Sequence, residues 1–380
     1  MLGFSLHPNV YSTGQCTGLV RMLEQAWVRD SSPGEGTMYI VSGFGNYNGG
    51  VRFFEVFKHH VAKGGKVVAF FAGSTSQRLT SRQIVEELLR VGVEVHVVNR
   101  KRLLHAKVYG ASTSLGERLV VTSGNFTGPG MGQNIEAAVI LDAHTTQSIG
   151  FKWQSLVDSV LRQKWNRYQL TLADMANPGW RLLYDEFGGD VQIDESEEAT
   201  LLLILGHADT ARVQAKKSTP AGLGTQYFWL SKDCYGFFPP LTIRNKRGQK
   251  ATYSCLITMH YLNLRLSARN TRVTFEAENN LDFRLGTGPL KFSKQAKEGD
   301  LAAITRTSEG SYEMRIFRRN SRVFAVLDPY AVTFIGHQGK RYGFIDNDQY
   351  AAIIGTSIPD PSVARYKVLN MNPSGASQDE

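Results

Sequence analysis

Between Met38 and Asp142 apolar runs of strand length alternate with segments of helical period, the pattern of an α/β domain. Met38-Tyr39-Ile40-Val41-Ser42 reads as a strand that ends in a Gly- and Asn-rich turn, Gly43 to Gly50, and Phe53-Phe54-Glu55-Val56-Phe57 opens a helix. Lys66 to Phe71 is a buried strand and Ser81 to Arg90 a second helix, with Thr80 as its expected N-cap because Gln83 stands at capping-box spacing. Val93 to Val98, Leu103 to Tyr109, Arg118 to Val121 and Ile135 to Leu141 supply further strands, and Thr145 to Trp165 reads as one closing helix. Beyond Thr200 the period changes to short β-like runs separated by turns: Leu201 to Leu205, Tyr227 to Leu230, Tyr253 to Met259, Arg272 to Ala277, Leu301 to Thr305, Tyr312 to Phe317, Ala331 to Ile335 and Tyr342 to Ile345. Runs of this kind predict an all-β barrel or pseudobarrel.

A chain of 380 residues can bury two cores. The expected organisation is an α/β domain over residues 1–170, a linker over 171–200, the β domain over 201–360 and a fraying tail over 361–380. Charge sharpens this division. The net charge is +9, and residues 201–350 hold 22 Lys plus Arg against 12 Asp plus Glu, which is more than the whole excess. Just before them the sign reverses: Asp185, Glu186, Asp190, Asp194, Glu195, Glu197 and Glu198 follow one another with no Lys or Arg between. A basic domain behind an acidic connector is compatible with a solvated linker, and equally with a polyanion-binding domain whose cleft the connector can visit. No apolar run approaches the roughly 18 residues needed to cross a bilayer, and the N-terminus lacks a basic and apolar leader, so a cytoplasmic protein with no membrane partner is expected. Cys16, Cys234 and Cys255 are too scattered for a disulfide framework or structural zinc.

The candidate chemistry begins at His105-Ala106-Lys107, followed by Ser123-Gly124-Asn125 and then Glu136. Side chains two apart on an extended strand share a face, so His105 and Lys107 could meet one phosphate, and Ser123 and Asn125 could do the same. The bland alternative makes His105 a satisfied strand histidine and Lys107 a solvated charge at a sheet edge. Gly73 to Arg78, between a strand and a helix, is a weaker candidate for holding phosphate, without the Gly-Lys-Ser/Thr ending of a nucleotide-binding loop.

With these residues the chain resembles the phospholipase D superfamily, and over nearly all of its length the metal-independent type IIS restriction endonucleases. Ser5 to Tyr11, Ser123 to Met131, Gly206 to Arg212, Phe237 to Asn245 and Val273 to Asn280 carry the closer likeness. The resemblance implies a phospholipase D-like nuclease domain followed by a DNA-recognition pseudobarrel of the kind also found in plant transcription factors. The chain departs from the superfamily pattern at Ser112, where an Asp usually follows the Lys by five residues.

Phospholipase D chemistry needs two imidazoles, one to attack phosphorus and one to protonate the leaving oxygen, and this chain has one His-x-Lys. The resemblance therefore implies a homodimer with one composite site, no metal and no cofactor. In it His105 is nucleophile or acid, Lys107 and Asn125 hold the non-bridging oxygens, and Ser123 and Glu136 orient His105. In the basic domain the candidates for double-stranded DNA are Arg212, Thr225, Gln226, Trp229, Ser231, Lys232, Arg244, Asn245, Lys246, Arg247, Arg272, Asn279, Lys340 and Arg341, among which Trp229 fits a core position better than a base-stacking one. A restriction role further implies a companion DNA methyltransferase. Two other readings share parts of this pattern: a lipid-hydrolysing phospholipase D, which calls for a membrane-binding surface and usually two motifs in one chain, and a DNA-binding regulator with a degenerate nuclease domain.

Overall fold

The computed structural model describes residues 3–7, 10–14, 16–99, 103–163, 165–186, 199–247, 250–276, 283–307, 310–335, 340–355 and 367–370. The chain divides into two compact units, Met1–Val191 and Gln192–Glu380.

The first unit is built on a nine-stranded mixed sheet. Its strands are β1 (Gly3–His7), β2 (Tyr11–Ser12), β3 (Thr37–Ser42), β4 (Lys66–Ala72), β5 (Glu94–Asn99), β6 (Lys107–Thr113), β7 (Gly116–Thr122), β8 (Glu136–Leu141) and β9 (Asn166–Leu170), in the order β2-β1-β8-β7-β6-β3-β4-β5-β9. β3, β4 and β5 run parallel and their neighbours antiparallel. The parallel strands are the continuously apolar ones, as expected where both faces are covered. On one face Trp153 stacks on Tyr39 with ring centroids 4.7 Å apart; on the other Trp27 meets Phe53 and Phe57 edge-on and donates its indole N–H to Gly110 O at 2.7 Å.

Four local expectations are corrected here. The N-cap of the Arg82–Arg90 helix is Ser81, whose hydroxyl accepts from Ile84 N at 3.2 Å, because Thr80 spends its hydroxyl on Ala72 O. The closing helix is two helices, Ala143–Ser148 and Trp153–Leu161, broken where Gly150 takes φ 66°. β6 begins at Lys107, not Leu103, so His105 precedes the strand. Residues 171–186 are not a free connector: Trp180 and Leu182 are buried, Arg82 N donates to Tyr184 O at 2.8 Å, and Gln83 Nε2 donates to the Asp185 carboxylate at 2.5 Å. Asp190, Asp194, Glu195, Glu197 and Glu198 lie outside the described residues.

The second unit is rich in sheet, with an eleven-stranded arrangement: β10 (Ala199–Ile204), β11 (Tyr227–Leu230), β12 (Ile243–Arg247), β13 (Lys250–Tyr261), β14 (Leu266–Glu276), β15 (Phe283–Gly286), β16 (Leu301–Arg306), β17 (Tyr312–Phe317), β18 (Thr333–Phe334), β19 (Arg341–Asp346) and β20 (Lys367–Asn370). The main path runs β11-β15-β14-β13-β17-β16-β10-β19-β18, with β12 on β13 and β20 on β14. It is not all-β. Helices at His207–Gln214, Arg322–Leu327 and Asn347–Ile354 interrupt the strands, each started by a local acceptor: the Asp209 carboxylate takes Gly206 N, the Ser321 hydroxyl Phe324 N, and the Asp346 carboxylate Asp348 N. Among the described residues no helix is long and apolar enough to cross a membrane.

Candidate functional site

The strand order explains how distant motifs meet. β3 lies beside β6, and β6 beside β7, so the ends of β3, β6, β7 and β8 come together although the residues span a hundred positions. Lys107 pairs with Ser42 in this register. Before it, Leu104 is anchored in the apolar core while His105 is exposed. Gly43 permits the crossing, since a Cβ there would lie 2.9 Å from Leu104 O and 3.2 Å from His105 Cα.

Although His105 is off the strand, the pair is made. Lys107 Nζ lies 2.9 Å from His105 Nδ1 and 3.0 Å from His105 O, and Phe44 meets the imidazole edge-on with centroids 5.7 Å apart. Lys107 is 8% exposed. Burial lowers its pKa from the ordinary lysine range, and the Glu136 carboxylate partly opposes that shift.

The second pair comes from the end of β7. Ser123 Oγ donates to Glu136 Oε2 and accepts from Ala137 N at 3.0 Å, while Asn134 Nδ2 donates to Glu136 Oε1 at 3.2 Å. Phe44 N donates to Asn125 Oδ1 at 3.2 Å, which fixes the amide. Ser42 ties this wall together: its hydroxyl donates to Phe44 O at 2.7 Å and accepts from Phe126 N at 2.9 Å and Tyr109 OH at 3.2 Å. Ser42 and Tyr109 carry no sequence signal of their own, because a strand-end Ser and a core Tyr are ordinary. Gly73 to Arg78 joins no site: the Ser74 hydroxyl accepts from Ser76 N and Gln77 N within its own turn. Ser112 lies on β6 opposite Thr37, five residues along the strand from Lys107. Among the described residues no three His, Cys, Asp or Glu side chains are grouped to hold a metal ion.

In the second unit the register sorts the remaining candidates. Trp229 pairs with Arg284, Arg284 with Thr274, Thr274 with Ser254 and Ser254 with Ile243, so these residues and those two away from them share one face across β11-β15-β14-β13-β12. The opposite face is core: Phe228, Leu285, Val273 and Phe275 are fully buried. Trp229 and Tyr227 are therefore on the outer, polar face, contrary to the core position expected of Trp229. On the same face Arg272 donates to Ser254 Oγ at 2.6 Å, and Asn245, with its amide oxygen turned toward the guanidinium, accepts from Arg272 at 3.2 Å. Arg244 faces the other way, over the Tyr253 ring at 5.5 Å. Arg284 belongs to the outer face and was missed; the strand alternation Phe283-Arg284-Leu285 is the signal that could have found it.

Other candidates are placed elsewhere. Lys340 is buried, with Nζ 2.6 Å and 2.7 Å from the two Asp209 oxygens and 2.5 Å from Trp229 O, and burial pulls its pKa below the usual lysine range. Gln226 is buried and donates to Asp209 O at 2.7 Å. Arg341, on β19, is paired with Asp328 at 2.6 Å, and β19 is separated from the outer face along the strand order. Arg212 Nε donates to Leu223 O at 2.6 Å; Thr225 is exposed and Ser231 buried. The side chains of Lys232, Lys246 and Arg247, and all of Asn279, lie outside the described residues.

Residues 193–357 match the family described as the metal-independent restriction enzyme BfiI DNA binding domain. The second unit resembles a BfiI-type DNA-binding domain. No curated protein matches the chain. Among solved structures, the phospholipase D family member Nuc from Salmonella typhimurium is 15% identical over 40% of this chain and 90% of its own, with a TM-score of 0.28. NucT from Helicobacter pylori is 16% identical over 32% of this chain and 79% of its own, with a TM-score of 0.25. The polyphosphate kinase of Porphyromonas gingivalis is 12% identical over 40% of this chain and 22% of its own, with a TM-score of 0.29.

Proposed function

We propose that the chain is a BfiI-like nuclease of the phospholipase D superfamily: a metal-independent type IIS restriction endonuclease that binds an asymmetric double-stranded site through its second unit and cuts at an offset with its first. The observation that carries this reading is the convergence of His105, Lys107, Ser123, Asn125 and Glu136 at one end of the sheet, with Lys107 Nζ against the imidazole. In the first step a ring nitrogen of His105 attacks phosphorus, an N–P bond forms, the P–O bond to the leaving strand breaks, and the partner subunit's His105 protonates the departing oxygen. The partner subunit's His105 then takes a proton from water, which attacks the phosphohistidine and frees His105. Lys107 and Asn125 offset charge on the non-bridging oxygens. One composite site per dimer cuts one strand per turnover, so a double-strand break takes two.

An apolar stripe supports a second copy beside the site. Val121, Phe4 and Tyr11 lie on β7, β1 and β2 and are 41%, 41% and 58% exposed. The register puts Phe4 opposite Val139 and Val139 opposite Val121, and Tyr11 opposite Leu6, two along from Phe4, so Val121, Phe4 and Tyr11 share one sheet face. The acidic connector fits a restraint on cutting: Glu186 accepts from Tyr47 N at 3.1 Å, in the turn whose Phe44 holds Asn125. In a cell such an enzyme works beside a companion methyltransferase.

The test is incubation with plasmid DNA in excess EDTA. Cleavage persists in wild type, and His105→Ala abolishes it while DNA binding is retained. Activity lost with chelator overturns the metal-independent mechanism, and release of a lipid headgroup without DNA cleavage favours the lipase reading.

A further inference from the structure

The outer face of the second unit holds a charged pair that neither the catalytic nor the phosphate-binding part of the proposal uses. Arg284 Nη2 lies 3.2 Å from Glu276 Oε2, with the two side chains 12% and 4% exposed. The guanidinium carbon stands 5.3 Å from the Tyr227 ring centroid and 5.5 Å from that of Trp229, and the two rings meet edge-on at 5.1 Å. Arg284 Nε is buried without a hydrogen-bond partner. Nearly buried ion pairs bring little net stability, so this one is better explained by the geometry it imposes.

That geometry converges on Trp229. Its backbone N–H donates to Asp209 Oδ1 at 2.8 Å and its carbonyl accepts from Lys340, so its main chain is tied to the buried Asp209–Lys340 pair. Arg284 then holds its ring from the neighbouring strand. A half-buried indole on a polar face, fixed at both backbone and ring, is already ordered before any ligand arrives.

We propose that Arg284, clamped by Glu276, is a positioning residue that holds the Trp229 and Tyr227 rings in the orientation a DNA duplex requires. This rests on the reading of the second unit as a DNA-binding domain. Because Glu276 neutralises Arg284, the pair adds little to phosphate attraction; its effect is to reduce the ordering cost that recognition would otherwise meet. Lysine cannot substitute, since it retains the charge but not the planar stacking surface.

The experiment uses the full-length chain carrying His105→Ala, so that DNA stays intact. The probes are a fluorescein-labelled duplex enriched from a randomised pool by that protein and a scrambled duplex of the same composition. Arg284→Lys weakens binding to the enriched duplex about tenfold and leaves the scrambled duplex and the slope of log K against log salt unchanged. Trp229→Phe causes a similar loss, and the double variant loses no more than the larger single one. Losses that add overturn the proposal, and so does a salt slope reduced by about one charge in Arg284→Gln, which removes the charge that Arg284→Lys keeps and so reports whether Arg284 is a phosphate contact. If Arg284→Lys melts out, Glu276→Gln carries the same cycle with Trp229→Phe, and there additive losses overturn the proposal. Failure of the parent protein to bind either duplex sinks the DNA-binding reading and this inference together; binding by the parent with additive losses sinks this inference alone.

Discussion

Asp209→Ala is the sharpest perturbation of the second unit, because it leaves a buried ammonium without its counter-charge. Lys340 and Asp209 are 9% and 1% exposed at the side chain and share two short contacts, and Asp209 also holds Gly206 N and Trp229 N. Removing one partner of a buried ion pair costs about 3–5 kcal/mol, and the freed backbone donors add to the loss. For a unit of this size, each kcal/mol moves the melting temperature by roughly 2–4 °C, so a fall of roughly 6–20 °C is expected. Lys340→Met should cost less than Asp209→Ala in a salt-independent way, and Asp209→Ala/Lys340→Met should recover part of the loss, because no charge is then stranded. The assay is thermal or urea unfolding followed at the second unit's transition, paired with a salt titration of duplex binding. A Lys340→Met variant that melts like wild type but binds DNA with a salt slope reduced by about one would refute the buried-pair argument and restore Lys340 as a phosphate contact.

Three further outcomes follow. Lys107 must be protonated to offset charge on phosphate, and burial lowers its pKa; the alkaline limb of kcat/KM should fall below the ordinary lysine range, and Lys107→Arg, where active, should move it upward. A profile flat through that region contradicts the role. Val121→Asp with Phe4→Asp should weaken self-association and cleavage together while the first unit still melts cooperatively, checked by sedimentation and plasmid assays. Replacing Asp194, Glu195, Glu197 and Glu198 by Ser should raise nonspecific cleavage, and an unchanged rate counts against a restraining role for the acidic connector.

Period and local chemistry made much of the fold legible. The apolar runs from Met38 to Leu141 became strands, because a continuous apolar run of that length has few alternatives to a buried strand. The same logic failed at Leu103 to Ala106. Those residues are apolar enough for a strand, but the chain must first cross Gly43, a tertiary constraint with no signature in the run itself. Helix ends depend on single hydroxyls: the Thr80–Gln83 spacing points to Thr80, but Ala72 O claims the Thr80 hydroxyl and the cap falls to Ser81. The catalytic candidates were legible because their spacing is local, two apart in each pair. Ser42 and Tyr109, which hold them in place, were not, because they reach the site only through the β3-β6 register.

The candidate DNA surface shows where local pattern stops being informative. Alternation in Tyr227-Phe228-Trp229-Leu230 announces a strand, but two large apolar faces compete for the core, and hydrophobicity alone favours burying tryptophan. The decision is made by neighbours: Phe283, Leu285, Val273 and Phe275 fill the inner face, leaving Trp229 beside Arg284 on the outer one. Positive charge was an equally incomplete guide. Lys340 and Arg341 are adjacent in sequence, yet one is sealed against Asp209 and the other held by Asp328. On the proposed reading, the excess charge on this unit would attract DNA as a field, and the carboxylates that the fold assigns to Lys340 and Arg341 remove those two cations from direct contact.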